Sequence, residues 1–259
     1  KNLNVNLKKT NIFNYFNNKK MSNTSVGIVD VSLKIFKGNR VGIVGESGSG
    51  KSTLAKAIIN IQKPSNGEIY FNKNNLMNLN KDQTIKMRQD VQMIFQDPYS
   101  SLNPKSTIRK LLIEPLKFHK ITNKANYEKK IVELIFKVGL DNKFLDKYPH
   151  QLSGGQCQRV NIARALSVNP KILIADEPTS SLDVTIQAQI IELIINLCKK
   201  MELTLIFISH DLRVVKNICN KIIVMKGGKI IESGSTYEVF HKTKNTYTKE
   251  LITSVLSIN

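Results

Sequence analysis

The sequence predicts an α/β fold in which a parallel sheet is covered by helices on both faces. Runs rich in Val and Ile alternate with longer stretches of helical spacing, as expected of strand–helix–strand units. The runs "KILIADEP" (171–178) and "LTLIFISH" (203–210) are largely apolar until they end in polar residues, which is typical of buried parallel strands. A glycine-rich segment, residues 45–53, lies between a strand and a helix.

The first third of the chain is predicted to contain three strands and one helix. The strands are residues 26–36, 40–45 and 67–72. The helix begins at Lys51, and Pro64 is expected to end it because proline cannot continue a helix. Its predicted apolar face consists of Leu54, Ala57, Ile58 and Ile61.

The segment that follows changes character and predicts an inserted helical lobe. "DPYSSLNP" (97–104) is rich in turn residues, whereas "TIRKLLIEPLKFH" (107–119) and "YEKKIVELIFKVGL" (127–140) have helical periodicity.

Beyond the lobe, a helix is expected over residues 156–167. A further helix carries the apolar stripe Ile186, Ile190, Leu193, Ile194 and Leu197. "KIIVMKGGKIIESG" (221–234) predicts a hairpin that turns at two glycines.

The net charge of +19 is interpreted as a bias in composition, with a functional basic face as the alternative. The basic residues are almost all Lys, scattered along the chain, whereas Arg is the side chain of bidentate phosphate and base recognition.

The three cysteines are far apart and have no metal-binding spacing, which indicates a reduced, cytosolic protein. No apolar run approaches the length of a membrane span.

The glycine-rich segment has the pattern of a phosphate-binding loop. Gly45-x-x-x-x-Gly50-Lys51-Ser52 follows a strand and opens a helix, so that bare backbone N–H groups and the helix dipole can converge on phosphate oxygens. Lys51 is expected to reach the β- and γ-phosphates, and Ser52 to coordinate Mg²⁺. The predicted ATP-binding residues of the loop are Gly45, Glu46, Ser47, Gly48, Ser49, Gly50, Lys51, Ser52 and Thr53.

Polar residues at the ends of other strands supply candidates for the chemistry of phosphoryl transfer. Asp176, which ends a buried strand, is expected to hold Mg²⁺, and Glu177 beside it is free to polarise a water molecule. His210 ends a second such strand, where ligands of open α/β sheets gather. Gln96 follows "VQMIF" and could sense Mg²⁺ or the water. Taken alone, His210 and Gln96 are as compatible with solvated surface residues.

A second anion-binding turn, "LSGGQ", opens the helix expected at residues 156–167. Its hydroxyl, bare N–H groups and helix dipole again fit a phosphate. One chain therefore has two phosphate turns but one set of acids, which predicts a head-to-tail pair with a nucleotide between unlike faces. The residues of this turn are Leu152, Ser153, Gly154, Gly155 and Gln156. Cys157 follows, and is interpreted as a packing residue, with a reactive thiol as the alternative.

With these motifs in order, the sequence resembles the ATP-binding subunit of an ABC transporter over nearly its whole length. The resemblance implies a P-loop NTPase core with a parallel sheet, an N-terminal antiparallel β subdomain and an inserted α-helical subdomain. It implies that Glu177 is the catalytic base, that His210 contacts the γ-phosphate, and that Gln96 couples ATP state to a membrane partner. Asp183 in "SSLD" would communicate across the dimer.

The resemblance also implies a domain division and an aromatic residue that stacks on adenine. The expected division of the single ABC ATPase domain is a core of residues 1–96 and 151–240, a helical subdomain of residues 97–150 and a short tail of residues 241–259. The stacking residue is assigned to Phe13, with Tyr15 and Phe16 as alternatives.

Three stretches are similar to a narrower group, the oligopeptide, dipeptide and nickel importers. They are "QMIFQDPYSSLNP", "YPHQLSGGQCQRVNIARAL" and "DEPTSSLDVTIQAQI". The tail "NTYTKELITSV" resembles the start of that group's C-terminal extension, which typically reads "HPYT-x-x-L". Several members carry an iron–sulfur cluster there. This chain has no cysteine after Cys219, so no cluster is expected.

The resemblance implies ATP and Mg²⁺ as cofactors and peptide as the transported substrate, with nickel or a nickel chelate as the alternative. The expected partners are a second ABC ATPase subunit, two transmembrane permease subunits and an extracytoplasmic substrate-binding protein, all at a membrane whose cytoplasmic face this chain would occupy. A heterodimer is favoured over a homodimer. No nucleic acid is expected. The rival of another class is a soluble ABC ATPase acting on nucleic acid or ribosomes, and a third interpretation is a regulatory module without turnover.

Overall fold

The structure, a computed structural model, describes residues 3–7 and 27–256, and ten strands and nine α-helices lie in this part of the chain. The strands are β1 (Leu3–Leu7), β2 (Val31–Ile35), β3 (Arg40–Val44), β4 (Glu68–Phe71), β5 (Asn74–Asn75), β6 (Val91–Ile94), β7 (Ile172–Asp176), β8 (Thr204–Ile208), β9 (Lys221–Lys226) and β10 (Lys229–Ser235). The helices are α1 (Lys51–Ile58), α2 (Lys81–Asp90), α3 (Ile108–Phe118), α4 (Tyr127–Lys137), α5 (Gly154–Leu166), α6 (Val184–Lys200), α7 (Leu212–Ile218), α8 (Thr236–His241) and α9 (Thr246–Leu256). They form two compact units, Lys1–Thr84 with Thr204–Asn259, and Ile85–Leu203.

The first unit contains an antiparallel sheet in the order β2-β1-β4-β5. Its central strand, β1, pairs Val5 with Leu33 on one side and with Ile69 on the other. These three side chains are buried, and β2 alternates buried and exposed residues along its length, as a half-buried strand should. The antiparallel subdomain implied by the family resemblance is therefore confirmed.

The same unit contains a second sheet in which β3 lies between two parallel neighbours. Its strands follow the order β10-β9-β3-β8. Val41 pairs with Ile206 of β8 and with Lys221 of β9, and β10 returns antiparallel to β9. The predicted hairpin is confirmed, and its two-residue turn consists of Gly227 and Gly228.

The first helix ends earlier than predicted. Helix α1 stops at Ile58, and Asn60 adopts a left-handed φ of 57°. Asn tolerates this conformation better than other non-glycine residues. Ile61, placed on the apolar face by the sequence, lies outside the helix and is 62% exposed. The prediction that Pro64 ends the helix is thus wrong, because the chain turns at Asn60 first.

The second unit combines a parallel strand pair with most of the longer helices. Strands β6 and β7 are parallel, with Ile94 opposite Ala175. Helices α3 and α4 cover the two predicted helical stretches and bury Leu112, Leu116, Ile131 and Ile135 completely. The boundaries predicted for the helical subdomain, residues 97–150, stay a prediction. Within residues 3–7 and 27–256, no helix is both long enough and apolar enough to cross a bilayer.

Candidate functional site

The glycine-rich loop lies in the first unit, between the end of β3 at Val44 and the start of α1 at Lys51. The Lys51 side chain folds back over the loop, and its Nζ donates hydrogen bonds to the carbonyl oxygens of Gly45 and Glu46, at 2.8 Å each. Its Nζ also lies 3.4 Å from the Oγ of Ser49. Lys51 is only 4% exposed. Its positive charge therefore lies among backbone oxygens of the same loop that is predicted to bind phosphate.

Gly45 is required by the close approach of the loop to the β9–β10 hairpin. Its φ is +148°, and a Cβ at this position would lie 2.1 Å from the carbonyl oxygen of Met225. The amide of Gly228 also donates to the carbonyl of Ser49, at 3.0 Å. The loop is therefore supported from behind by the hairpin backbone, and a residue with a side chain cannot replace Gly45 without displacing it.

His210 and the glycine-rich loop follow neighbouring parallel strands of the first unit. Ile43 of β3 pairs with Ile208 of β8, and the amide of Ser209 donates to the carbonyl of Ile43, at 3.2 Å. His210 follows Ser209 and is exposed. The structure thus places His210 and the loop at the same edge of the sheet, where the carboxyl ends of the strands meet.

The candidate acids and Gln96 come together in the second unit. Asp176 ends β7 and is 4% exposed, and Glu177 follows it with a left-handed φ of 44°. The Nε2 of Gln96, which follows β6, donates to the Oε2 of Glu177, at 3.3 Å. A left-handed glutamate is costly, of order 1–3 kcal/mol, and such conformations cluster at functional sites. Two residues predicted separately are therefore direct neighbours.

The "LSGGQ" turn forms the N-terminus of α5 and is stabilised by a capping box. The Oγ of Ser153 accepts from the amide of Gln156, while the Oε1 of Gln156 accepts from the amide of Ser153, at 3.0 Å. Glycine at position 155 was predicted because its bare N–H group can face a phosphate. The structure adds a packing reason, since a Cβ there would lie 2.6 Å from the Cγ2 of Ile186 in α6. Asp183 caps α6 by accepting from the amide of Ile186, at 3.0 Å.

Helix α5 also holds the segment that follows Gln96, through side chains that the sequence did not single out. The Nδ2 of Asn161 donates to the carbonyl of Pro98, at 2.8 Å, and a guanidinium N–H of Arg164 donates to the carbonyl of Ser101, at 2.6 Å. The hydroxyl of Tyr99 donates to the carbonyl of Leu152, at 2.9 Å. No local pattern in the sequence marks these contacts, because each acceptor is a backbone carbonyl of a distant segment.

Cys157 is a packing residue, and the alternative of a reactive thiol is wrong. It is completely buried, and burial raises its pKa to about 11, with a smaller contribution from the charge of Asp97. A thiol is reactive only as the thiolate. The position near a helix N-terminus does not overcome desolvation.

Phe13, Tyr15 and Phe16, the candidates for adenine stacking, lie outside the described residues.

A strand, a glycine-rich loop and a helix that begins with Lys51 and Ser52 define a nucleoside triphosphatase of the P-loop class. The pattern of the family described as "ABC transporter" matches residues 28–180. The chain belongs to the ABC transporter family. It binds ATP and is an ATPase.

Relatives and solved structures agree with this assignment. The oligopeptide transport ATP-binding protein OppF of Haemophilus influenzae is 48% identical over 233 residues, which are 90% of this chain and 70% of that protein. OppF of Salmonella typhimurium is 45% identical over 226 residues, 87% of this chain and 68% of that protein. The dimeric ATP-binding cassette MJ0796, bound to ADP and Pi in a post-hydrolysis state, has a TM-score of 0.77 and 32% identity, covering 90% of this chain and 98% of that chain.

Proposed function

We propose that this chain is the ATP-hydrolysing subunit of an ABC importer that drives peptide uptake across the cytoplasmic membrane. The observation that carries the proposal is the pairing of Gln96 with Glu177 in a chain that also has an intact phosphate loop and an "LSGGQ" helix. Similarity to proteins named for oligopeptide transport supports peptide as the substrate class. Nickel or a nickel chelate remains the alternative within the same group.

The phosphate loop is proposed to bind the triphosphate. The loop comprises residues 45–53, and its N–H groups and the α1 dipole would receive phosphate oxygens. Lys51 would exchange its contacts with the carbonyls of Gly45 and Glu46 for the β- and γ-phosphates. That exchange avoids stripping water from a solvated ammonium, since Lys51 is already buried.

Magnesium fits the donor set of these motifs. Ser52, Asp176 and Gln96 offer a hydroxyl, a carboxylate and an amide carbonyl, which are the hard oxygen ligands that Mg²⁺ prefers. Bound there, the ion would neutralise charge on the phosphates.

Glu177 is the proposed base, and Gln96 is proposed to orient it. The 3.3 Å bond from Gln96 to the Oε2 of Glu177 would hold the carboxylate in place while it accepts a proton from a water that attacks the γ-phosphate. His210 is proposed to contact the γ-phosphate. These roles belong to one reaction, with product release and movement of the Gln96 segment following hydrolysis.

The proposal places the "LSGGQ" turn of one subunit against the nucleotide of another. Leu152, Ser153, Gly154, Gly155 and Gln156 would complete the partner's site, with Asp183 communicating between subunits. A pair of different ATPase subunits is favoured over a homodimer. Two transmembrane permease subunits and an extracytoplasmic substrate-binding protein complete the proposed assembly, in which this chain would lie at the cytoplasmic face of the membrane and no nucleic acid would take part.

Three variants test the proposed chemistry. Glu177→Gln keeps the shape of the side chain and removes the base, so kcat for ATP should fall by roughly 10²–10⁴-fold while ATP still binds and holds a dimer together. Lys51→Ala should abolish tight ATP binding. Glu192→Gln, an exposed change on α6, is the matched control and should leave turnover unchanged. Wild-type turnover by Glu177→Gln would remove Glu177 from its role.

Uptake assays separate the possible substrates. Cells lacking the gene should lose uptake of a labelled oligopeptide, and the wild-type gene but not the Glu177→Gln gene should restore it. Loss of nickel uptake with intact peptide uptake would favour the alternative substrate. Co-purification with RNA or DNA and no effect on either uptake would instead overturn the transport proposal.

A further inference from the structure

Tyr247, in the C-terminal helix, reaches the phosphate loop across 201 positions of sequence. Its hydroxyl oxygen accepts a hydrogen bond from the amide N–H of Glu46, at 3.1 Å. The ammonium of Lys226, at the end of β9, lies 4.1 Å from the centre of the Tyr247 ring. The side chain is 6% exposed, and burial raises its pKa, so the hydroxyl keeps its proton at neutral pH. All of these residues belong to the first unit.

The bond from Tyr247 completes the restraint of one peptide group. The peptide between Gly45 and Glu46 has its carbonyl oxygen on Gly45 and its N–H on Glu46. The carbonyl accepts from the Nζ of Lys51, at 2.8 Å, and the N–H donates to Tyr247. Both polar ends of this peptide are therefore held, one by the lysine of the loop and the other by the tyrosine. Without the hydroxyl, the N–H end of this peptide would lose that hydrogen bond.

Tyr247 is itself held in place at the start of α9. Asn245 caps this helix through its Oδ1, which accepts from the amide of Thr248, at 3.3 Å. Just before it, the Oγ1 of Thr243 donates to a carboxylate oxygen of Glu232 in β10, at 2.7 Å. The approach to the helix is thus tied to the same hairpin whose turn supports the loop. A well-fixed tyrosine can restrain a flexible glycine-rich backbone, whereas a mobile one could not.

We propose that Tyr247 is a positioning residue for nucleotide binding, which holds the Gly45–Glu46 peptide so that Lys51 is presented to the phosphates. The inference rests on the proposed role of the phosphate loop. Because the N–H of Glu46 is engaged by Tyr247, the effect reaches the nucleotide through the peptide and Lys51. The stretch "NTYTKELITSV" therefore contributes to the ATP site rather than forming an independent tail.

The test compares Tyr247→Phe, which removes only the hydroxyl, with Tyr237→Phe. Tyr237 lies on α8, is 63% exposed, and is the matched control. The measured quantity is the Kd for ATP with Mg²⁺, by titration calorimetry, together with kcat, KM and the unfolding temperature without nucleotide. Losing this part-buried hydrogen bond should raise the Kd and KM of Tyr247→Phe by about three- to tenfold, with kcat nearly unchanged. Tyr237→Phe should match the wild type.

A purely structural tyrosine would give a different result. In that case the unfolding temperature of Tyr247→Phe would fall while its Kd for ATP stayed within about twofold of wild type, and the inference would be overturned. Lys51→Ala separates the two proposals. If wild type and Lys51→Ala bind ATP with the same Kd, the proposed role of the phosphate loop is wrong. If Lys51→Ala raises the Kd and Tyr247→Phe does not, only the inference about Tyr247 is wrong.

Hydrogen exchange of wild-type protein provides a second measurement, which needs no variant to fold. The amide of Glu46 should exchange at least about tenfold more slowly than an unstructured amide, because an exchange-competent state requires its bond to Tyr247 to open. Exchange of this amide at the unstructured rate would contradict the contact on which the inference is built.

Discussion

Replacing Gly45 by Ala should be among the most damaging single-methyl changes in the chain. The added Cβ would lie 2.1 Å from the carbonyl oxygen of Met225 and 2.9 Å from the Oγ of Ser49. The backbone at Met225 and that of the loop would have to move apart by about 1 Å to restore normal contact, and dense interiors resist even one added methyl. The residue would also have to adopt a φ of +148°, which side chains disfavour.

The expected cost can be assembled from these two effects. An unfavourable φ costs of order 1–3 kcal/mol, and overpacking typically costs a further ~1–3 kcal/mol. Alanine restricts the unfolded chain and returns about 0.4–1 kcal/mol. The free energy of unfolding should therefore fall by about 3 kcal/mol, which lowers the unfolding temperature by roughly 6–12 °C for a protein of this size.

Gly38→Ala is the control for the backbone conformation. Gly38 has a φ of +79°, and among the described residues no atom lies within 4 Å of the point where its Cβ would stand. Only the left-handed conformation is therefore penalised, by about 1 kcal/mol net. Calorimetric or denaturant unfolding without nucleotide measures both variants. If their losses of unfolding free energy differ by less than about 0.5 kcal/mol, the close contact between the loop and the hairpin is not as described.

Two further predictions concern α5. Because burial raises the pKa of Cys157 from 9.0 to about 11, stability due to the neutral thiol is complete below pH 9 and is lost as the pH rises towards 11. The unfolding temperature should therefore fall less between pH 9 and pH 11 in Cys157→Ala than in wild type, and equal slopes would argue against the raised pKa. Asn161→Ala removes the shorter of two hydrogen bonds to the carbonyl of Pro98, the other coming from the Sγ of Cys157 at 3.8 Å. It should lower the unfolding free energy by about 1 kcal/mol, whereas the exposed Asn196→Ala should change it by less than about 0.5 kcal/mol. Calorimetric unfolding of the two variants measures the difference. Equal losses of unfolding free energy would show that the bond from Asn161 to Pro98 does not stabilise the protein.

The sequence predicted the parts of this fold that depend on local pattern. The buried strands around Leu173 and Phe207 are built on apolar runs, residues 172–175 and 205–208, and the loop before Lys51 has a fixed spacing of glycines. By contrast, β1 was missed although "LNVNL" alternates apolar and polar residues, because its partners are distant in sequence. Helix α2 was also missed, since only Met87 and Asp90 of it are buried and its apolar stripe is correspondingly weak.

For the candidate site, too, the sequence predicted the positions of the residues but not their contacts. The strand-end positions of Gln96, Glu177 and His210 followed from the rule that parallel strands gather their ligands at one edge. Their individual contacts did not follow, because a hydrogen bond such as that from Gln96 to Glu177 depends on the register of β6 and β7. The bond from Glu46 to Tyr247 joins residues with no common local pattern, so only the folded structure reveals it.

The hairpin turn behind the phosphate loop has a practical consequence for engineering. Surface turns between strands are usually the safest places to insert an epitope tag or a reporter. The amide N–H of Gly228, however, donates to the carbonyl of Ser49, and the carbonyl of Met225 in β9 closely approaches Gly45. An insertion here would disturb nucleotide binding before it disturbed the rest of the protein, so labels belong on another surface of the molecule.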